Sequence, residues 1–373
     1  MKILEITEFS AGICGVWSRV FHESKELVKK GHEVFVFSSN LEKGTGRTVV
    51  EEEVKNNVKI FRFKNKSGIF DRIISKNVTH FDFEKKFAEI NPDIVITHLI
   101  HPHSFKALKM CMKKNKPCIL VTHAPFNVPR KFPLNFATWL YYNLKVKPLI
   151  NQFNKVMTIT RWEIPYLKSL GVAEDKIFYL PNAVSSEYFE QKINKFSGKK
   201  ILFFGRIAPI KNIPLLISAF KSISGKFENI KLILVGPIER GYESIKNSVS
   251  ENISFEKPVH ETKNKIRCLQ TADIFVLPSL REGLPISLIE AMALGKIVIS
   301  SKTDGGKEVI EDGVDGLLFN IGNSSELSAK IEEVLNMKTS EISKMQNNAR
   351  TKAREFESKR IIAQLNTIVE SYK

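Results

Sequence analysis

The chain reads as an α/β protein built from two Rossmann-like domains, and three observations carry that reading. Short, nearly uninterrupted apolar runs such as Asp93–His98, Lys200–Phe204 and Asp273–Leu277 suit strands buried on both faces of a parallel sheet, and stretches of helical spacing alternate with them. A βαβ unit with a glycine-containing loop opens the chain, and a second strand, loop and helix begins at Lys200 after a polar, lysine-rich connector over 189–200. At 373 residues there is length for two domains, each with its own core.

Taken in order, Lys2–Thr7 is the first strand, Phe9–Gly15 a loop, Val16–Lys30 a helix stopped by Gly31, and His32–Ser38 the second strand. A dinucleotide fingerprint would need G-x-G-x-x-G and an acid near the end of that second strand. Phe37-Ser38-Ser39 offers none, which excludes a nicotinamide cofactor. Val58–Phe63 is a partly exposed strand, Phe81–Ile90 a helix ended by Asn91-Pro92, and Asp93–His98 and Pro117–Thr122 are further strands.

His98, His101, His103 and His123 fall at or just past strand ends, where open α/β sheets place ligands. A metal cluster is disfavoured, because no paired carboxylate or cysteine accompanies them in sequence and His101-Pro-His103 is an i, i+2 pair bent by proline. His123 stands between a ligand role and a structural one.

From Phe126 to Lys155 the character changes: Trp139, Tyr141 and Tyr142 mingle with Arg130, Lys131, Lys145 and Lys147, and acids are absent. Such a segment suits a lipid interface, where rings sit at headgroup depth and lysines meet anionic lipid; the competing account is a cover for the N-terminal core. Val156–Thr160 and Lys176–Leu180 are strands around a helix over Glu163–Leu170, and Pro181-Asn-Ala-Val184 precedes the connector.

In the second half, Lys200–Phe204 ends at Gly205-Arg206, and Lys211 follows just before a helix with Pro214 near its first turn. A guanidinium fork and an ammonium on one loop beside a helix N-terminus are what a diphosphate requires. Ile230–Val235 ends at Gly236-Pro237, Asn252–Phe255 precedes Pro258-Val259-His260, and Glu261–Thr271 is a helix. The stretch from Asp273 to Leu318 is the most informative. Its strand leads into a loop holding Glu282 and Gly283, then a helix over Ser287–Ala293 that carries Glu290, then strand Lys296–Ser300, the turn Thr303-Asp-Gly-Gly306, and Glu308. Both acids therefore ring a helix N-terminus, where unpaired backbone N–H groups collect. Helices over Ser325–Leu335, Ser340–Phe356 and Lys359–Tyr372 close the chain.

Composition bounds the function classes. Hydrophobic content of 43% excludes wholesale disorder, and Cys14, Cys111, Cys118 and Cys268 show neither metal-ligand pairing nor disulfide density. No run reaches the ~18 apolar residues of a membrane span, and the first residues are too short and acidic for a signal peptide, so a cytoplasmic location is expected. The net charge of +17 is unevenly spread: residues 1–200 contribute +14 and 201–373 only +3. Between Asp93 and Glu163 there is no acid and there are eleven basic residues, a face that draws phosphates, anionic lipid or nucleic acid. The competing account is a lysine-rich solubilising surface.

The ordered run around Glu282 resembles the retaining glycosyltransferases of family 4. Their signature is E-x7-E within this strand, loop and helix, then EAMA-x-G and a glycine turn before a further Glu; Glu282, Glu290–Ala293, Gly295, Gly305 and Glu308 match it. The resemblance implies a GT-B fold: an acceptor domain over 1–183, a donor domain over 184–356 facing it across a cleft, and a C-terminal helix over 357–373 returning to the first domain. It implies that Glu282, with the N–H groups of Gly283, Leu284 and Ile286, holds the transferred sugar, that Glu290 holds the ribose, and that Arg206, beside Gly205, and Lys211 hold the diphosphate. Gly236 and Val259 become base contacts, and His123 lies near the sugar.

In the loop after the first strand Cys14 replaces one family glycine, so only Gly15 is carried over. His123 follows Thr122 with one residue fewer between them than the family has, and Ala183 stands where it has glycine. The implied reaction moves a hexose or N-acetylhexosamine from a UDP- or GDP-linked sugar to a lipid-linked or saccharide acceptor, with no metal or cofactor, at an anionic membrane face through the basic 94–162 region. A small soluble acceptor is the main rival. A non-catalytic nucleotide-sugar or nucleic-acid-binding protein is the reading from another class, and nucleic-acid binding leaves the acid pair unexplained.

Overall fold

A computed structural model describes residues 1–12, 14–43, 45–66, 79–125, 132, 134–259 and 261–373. Of the residues singled out above, Arg130, Lys131, His260 and the 126–131 part of the basic aromatic segment lie outside the described residues. Contacts divide the chain into two units, Met1–Asn182 with Ile361–Lys373, and Ala183–Arg360.

In the first unit the strands are β1 (Lys2–Phe9), β2 (Glu33–Ser39), β3 (Glu52–Lys55), β4 (Val58–Phe63), β5 (Ile94–His98), β6 (Cys118–Val121), β7 (Lys155–Thr158) and β8 (Ile177–Tyr179). Their order is β3-β4-β2-β1-β5-β6-β7-β8, parallel throughout except between β3 and β4. The order runs outward in both directions from β1, so the crevice past the carboxyl ends of β1 and β5 is the switch point at which such sheets bind ligands. Among the described residues its helices are α1 (Gly15–Lys29), α2 (Glu84–Ile90), α3 (Pro102–Lys113), α4 (Leu134–Tyr141), α5 (Lys147–Ile150) and α6 (Ile164–Ser169).

Two elements differ from the sequence reading. The helix expected from Phe81 begins at Glu84, because Phe81 and Phe83 are both drawn into the core, where the Phe63 ring lies 5.9 Å from Phe81 and 5.0 Å from Phe37. Between α4 and α5, Tyr142–Val146 is wound as a π-helix, a register change for which nothing in the sequence had prepared.

The second unit is a six-stranded parallel sheet of β9 (Lys200–Phe204), β10 (Lys231–Val235), β11 (Ile253–Glu256), β12 (Ile274–Leu277), β13 (Ile297–Ser301) and β14 (Leu317–Phe319). Its order, β11-β10-β9-β12-β13-β14, is that of a dinucleotide-binding sheet, with the switch point between β9 and β12. Its helices are α7 (Ile213–Ile223), α8 (Thr262–Gln270), α9 (Ile286–Ala293), α10 (Asp304–Val309), α11 (Ser324–Asn336) and α12 (Thr339–Ala353). The last helix, α13 (Ser358–Glu370), begins in this unit and ends in the first, where Asn366 Oδ1 lies 2.9 Å from His32 Nε2.

Candidate active site

Every loop that the sequence singled out in the second half leaves the carboxyl edge of this sheet. Gly205 and Gly236 end the adjacent strands β9 and β10 at φ +153° and +145°, and a Cβ on Gly236 would fall 1.9 Å from the Gly205 carbonyl oxygen. A side chain there would therefore force the two strand ends apart. After β9 the chain makes a single 3₁₀ turn, Pro209–Lys211, which brings Lys211 to the loop after β12. Lys211 Nζ lies 2.6 Å from Glu282 Oε1, which also accepts from Ser279 Oγ at 2.6 Å, and the Leu280 N–H donates to the Ile210 carbonyl. The pair spans the switch point, with Lys211 following β9 and Glu282 following β12.

Gly283 follows directly, and a Cβ on Gly305 would lie 2.2 Å from its carbonyl oxygen, so the glycine turn after β13 is seated against the Glu282 loop. Helix α9 starts at Ile286 behind Pro285, with Leu284 buried and Ile286 half-buried, and its first N–H groups have no acceptor within the helix. Helix α10 starts nearby with Thr303 as its cap, accepting from the Gly306 N–H at 3.0 Å.

Glu290 lies in the second turn of α9, 6% exposed. Its Oε1 accepts from Tyr188 Oη at 2.9 Å and Lys265 Nζ at 3.3 Å, while no bond to Oε2 is recorded among the described residues. Burial and the neighbouring carboxylate push the Tyr188 hydroxyl up, so it remains a donor. Arg206 turns elsewhere. It is 2.5 Å from Glu239, and both side chains are largely exposed. The structure thus joins Lys211 to Glu282, Gly205 to Gly236 and Gly283 to Gly305, whereas Arg206 and Glu290 each have other partners. Val259 is half-buried just past β11, next to the end of β10. Tyr188, Lys265, Ser279 and Glu239 were not legible as site residues; Tyr188 is 102 positions from Glu290, and no local spacing relates them.

In the first unit, the histidines prove to be bound to carboxylates and to each other. His98 is wholly buried at the end of β5; its Nε2 is 2.7 Å from Glu5 Oε2 and its Nδ1 is 2.9 Å from His123 Nε2. His101 Nδ1 meets Glu8 Oε1 at 2.6 Å, and His103 Nε2 donates to the His98 carbonyl at 2.8 Å. Among the described residues, no group of three or more His, Cys, Asp or Glu is arranged to hold a metal ion. Burial pushes Glu5 up to about 8 against the pull of Arg19, and it drives His98 down to about 3 and His103 to about 4. The Glu5–His98 contact is therefore a hydrogen bond between neutral groups.

His123 and Ala124 occupy the left-handed region at φ +62° and +55°, a conformation unfavourable for residues with a Cβ. Glu163 holds them there, accepting from Thr122 Oγ1 at 2.5 Å and the Ala124 N–H at 2.8 Å with one oxygen, and from Ile159 and Thr160 with the other. Gly15 opens α1, and a Cβ there would meet no atom within 4 Å, so the helix start borders open space. Glu5, Arg19, Glu23 and Glu163 were missed, because a lone acid inside an apolar strand or a short helix has no periodic signature.

Helix α4 contributes no buried side chain; Phe136 is 56% exposed, Trp139 59% and, in the π-turn, Leu144 62%. Tyr141 at its end and Tyr142 just after it pack against the core and Val146 and Ile150 lie within it, whereas the exposed Phe136, Trp139 and Leu144 side chains stand outside it. No helix among the described residues is long and apolar enough to cross a membrane.

The family model for glycosyl transferases group 1 matches residues 185–356, and that for glycosyltransferase family 4 matches residues 13–188. One relative is the Campylobacter jejuni N,N'-diacetylbacillosaminyl-diphospho-undecaprenol alpha-1,3-N-acetylgalactosaminyltransferase, 28% identical over 49% of this chain and 48% of its own. Another is a capsular polysaccharide biosynthesis glycosyltransferase of Staphylococcus aureus, 28% identical over 52% of this chain and 50% of its own. The chain thus spans about half the length of these curated relatives. Among solved structures, sucrose-phosphate synthase from Thermosynechococcus elongatus superposes with TM-score 0.77 at 15% identity, covering 99% of this chain and 98% of that one. Anabaena HepE in complex with UDP and glucose gives 0.71 at 18% identity over 100% of both chains. At such identities the likeness shows the fold, which is GT-B.

Proposed function

Because this chain belongs to the glycosyltransferases, with one family model on each half, we propose that it moves a hexose or N-acetylhexosamine, with retention at the anomeric carbon, from a UDP- or GDP-linked sugar to a lipid-linked or saccharide acceptor. The observation that carries this is the Lys211–Glu282 pair across the β9/β12 switch point, at the N-terminus of α9. Lys211 has two further N–H donors for a diphosphate, and Arg206, exposed beside Glu239, supplies a bidentate fork. Glu282 and the N–H groups of Gly283, Leu284 and Ile286 hold sugar hydroxyls, Glu290 accepts from the ribose through Oε2, and Gly205, Gly236 and Val259 border the base.

Transfer on one face of the sugar needs little covalent chemistry from the protein. A leaving diphosphate can itself take the acceptor's proton while positive charge develops at the sugar, so positioning and neutralisation of the anion are what the side chains contribute. On this reading cationic side chains and helix ends do the work of a metal ion. A thermal-shift comparison of UDP, GDP and ADP tests it: one of the first two, at 100 times its Kd, is expected to stabilise the chain by about 2.7 kcal/mol. A flat response to all three would sink the proposal.

The acceptor side rests on α4 and the π-turn. Exposed Phe136, Trp139 and Leu144 beside Lys145 and Lys147 have the make-up of a surface seated at an anionic lipid interface, and the Campylobacter jejuni relative bears the name of an undecaprenol-linked acceptor. The chain is expected to float with liposomes containing phosphatidylglycerol and not with phosphatidylcholine alone, and Trp139→Ser with Leu144→Ser should abolish flotation. A wild type that fails to float with anionic liposomes would point instead to a soluble sugar or sugar phosphate as acceptor, and a variant that floats as well as wild type would remove this surface from the lipid interface.

A further inference from the structure

We propose that Glu5, His98 and His123 form a hydrogen-bonded tautomer relay that fixes Nδ1 of His123 as a proton-bearing donor to a ligand oxygen beyond β6, with Glu5 and His98 as positioning residues. Only the identity of that ligand, a sugar hydroxyl, rests on the function proposed above.

The relay follows from charge and geometry. Around Glu5 stand Arg19 and Glu23 from α1, His98 from β5 with His103 of α3 on its carbonyl, His123 beyond β6, and the Glu8–His101 pair at the end of β1. Arg19 and Glu23 lie 2.8 Å apart and are almost completely buried, so the one fixed cation already has its counterion. Ionising Glu5 as well would leave an unmatched negative charge in a wholly buried place. Glu5 Oε1 is buried with no hydrogen-bond partner, which a neutral carbonyl oxygen tolerates far better than half of a carboxylate. Glu5 therefore keeps its proton, in accord with the upward shift that burial gives it.

The remaining hydrogens are then determined. Glu5 Oε2–H donates to His98 Nε2, so the His98 proton is on Nδ1 and is donated to His123 Nε2 at 2.9 Å. His123, itself held neutral by burial, must carry its proton on Nδ1. His123 is partly exposed whereas His98 is not, and no partner for this Nδ1 is recorded among the described residues, so the chain of donors ends there. Were Nδ1 to give up its proton, His123 Nε2 would take one from His98 Nδ1 and His98 Nε2 would take one from Glu5. A carboxylate would be left near Arg19 and His123 Nδ1 would be bare. Above the Glu5 transition His123 therefore becomes an acceptor and can no longer donate.

The test is a nitrogen-15 NMR titration of the full chain labelled at histidine, with His98→Asn and His123→Asn giving the assignments. At pH 6.5 both rings are expected as neutral Nδ1–H tautomers, and both should change to Nε2–H in a single step near pH 8. In Glu5→Gln, which cannot ionise, that step should vanish. An imidazolium or an Nε2–H form at either ring at pH 6.5, a wild type with no alkaline step, or a step that survives Glu5→Gln would each overturn the relay. Because no sugar nucleotide is present, the result is independent of the thermal-shift screen: nucleotide binding without the step defeats the relay alone, and the step without nucleotide binding defeats only the functional reading.

Discussion

Replacing Lys211 with alanine is expected to lower turnover by about 10²-fold or more, the loss seen when one pre-placed donor to a developing anion is removed. The effect should fall on kcat and kcat/KM together, because negative charge on the diphosphate grows only as the sugar departs. Lys211 also neutralises Glu282, whose side chain is only 10% exposed, so the alanine variant leaves a partly buried carboxylate without its partner. Pairing it with Glu282→Gln separates the two losses: that change relieves the unpaired charge but cannot restore neutralisation of the diphosphate. Arg206→Ala offers a cleaner comparison. Its pairing with Glu239 is exposed and contributes about 0–1 kcal/mol to stability, so a similar rate loss would arise without any change in melting temperature. Steady-state kinetics with sugar conjugates of the nucleotide identified by the binding screen decide it, and wild-type rates in both single variants would refute the assigned roles.

Glu290→Gln should weaken nucleotide binding and leave turnover of bound donor nearly unchanged. A hydrogen bond to a charged acceptor contributes about 1.5–3 kcal/mol, which corresponds to a roughly 10- to 150-fold rise in Kd. A contact to the ribose would be the same before and during bond breaking, so the loss belongs in KM. Tyr188→Phe should weaken binding less, since Lys265 still reaches the same oxygen at 3.3 Å. Calorimetry with the free nucleoside diphosphate reads both variants, and an unchanged Kd for Glu290→Gln would remove this residue from the site.

The strands and loops of the second half were legible because each contact there is made by a residue at a fixed offset from a strand end. Gly205, Gly236, Glu282 and Gly305 all follow buried apolar runs, and a parallel sheet delivers every such loop to one edge. The N-terminal half yielded less. His98 and His123 were visible as strand-end histidines, but Glu5 looked like an ordinary acid in a strand, and its alternation gave no hint that it would be sealed inside the sheet. The helix over 81–90 was misjudged at its start for a related reason. Phe81 and Phe83 are two apart and both buried, and aromatic packing against Phe37 and Phe63 prevailed over local helical preference.

By itself, the sequence determined the α/β class, the two sheets, and the loop that carries Glu282, since apolar periodicity and glycine placement act over neighbouring residues and can be read along the chain. Only the tertiary structure decided which charges meet. Lys211 with Glu282, Tyr188 with Glu290 and Glu5 with His98 are separated by 71, 102 and 93 positions. Electrostatic partners and proton positions depend on distance and burial in space, and neither quantity exists until the strands have been ordered side by side.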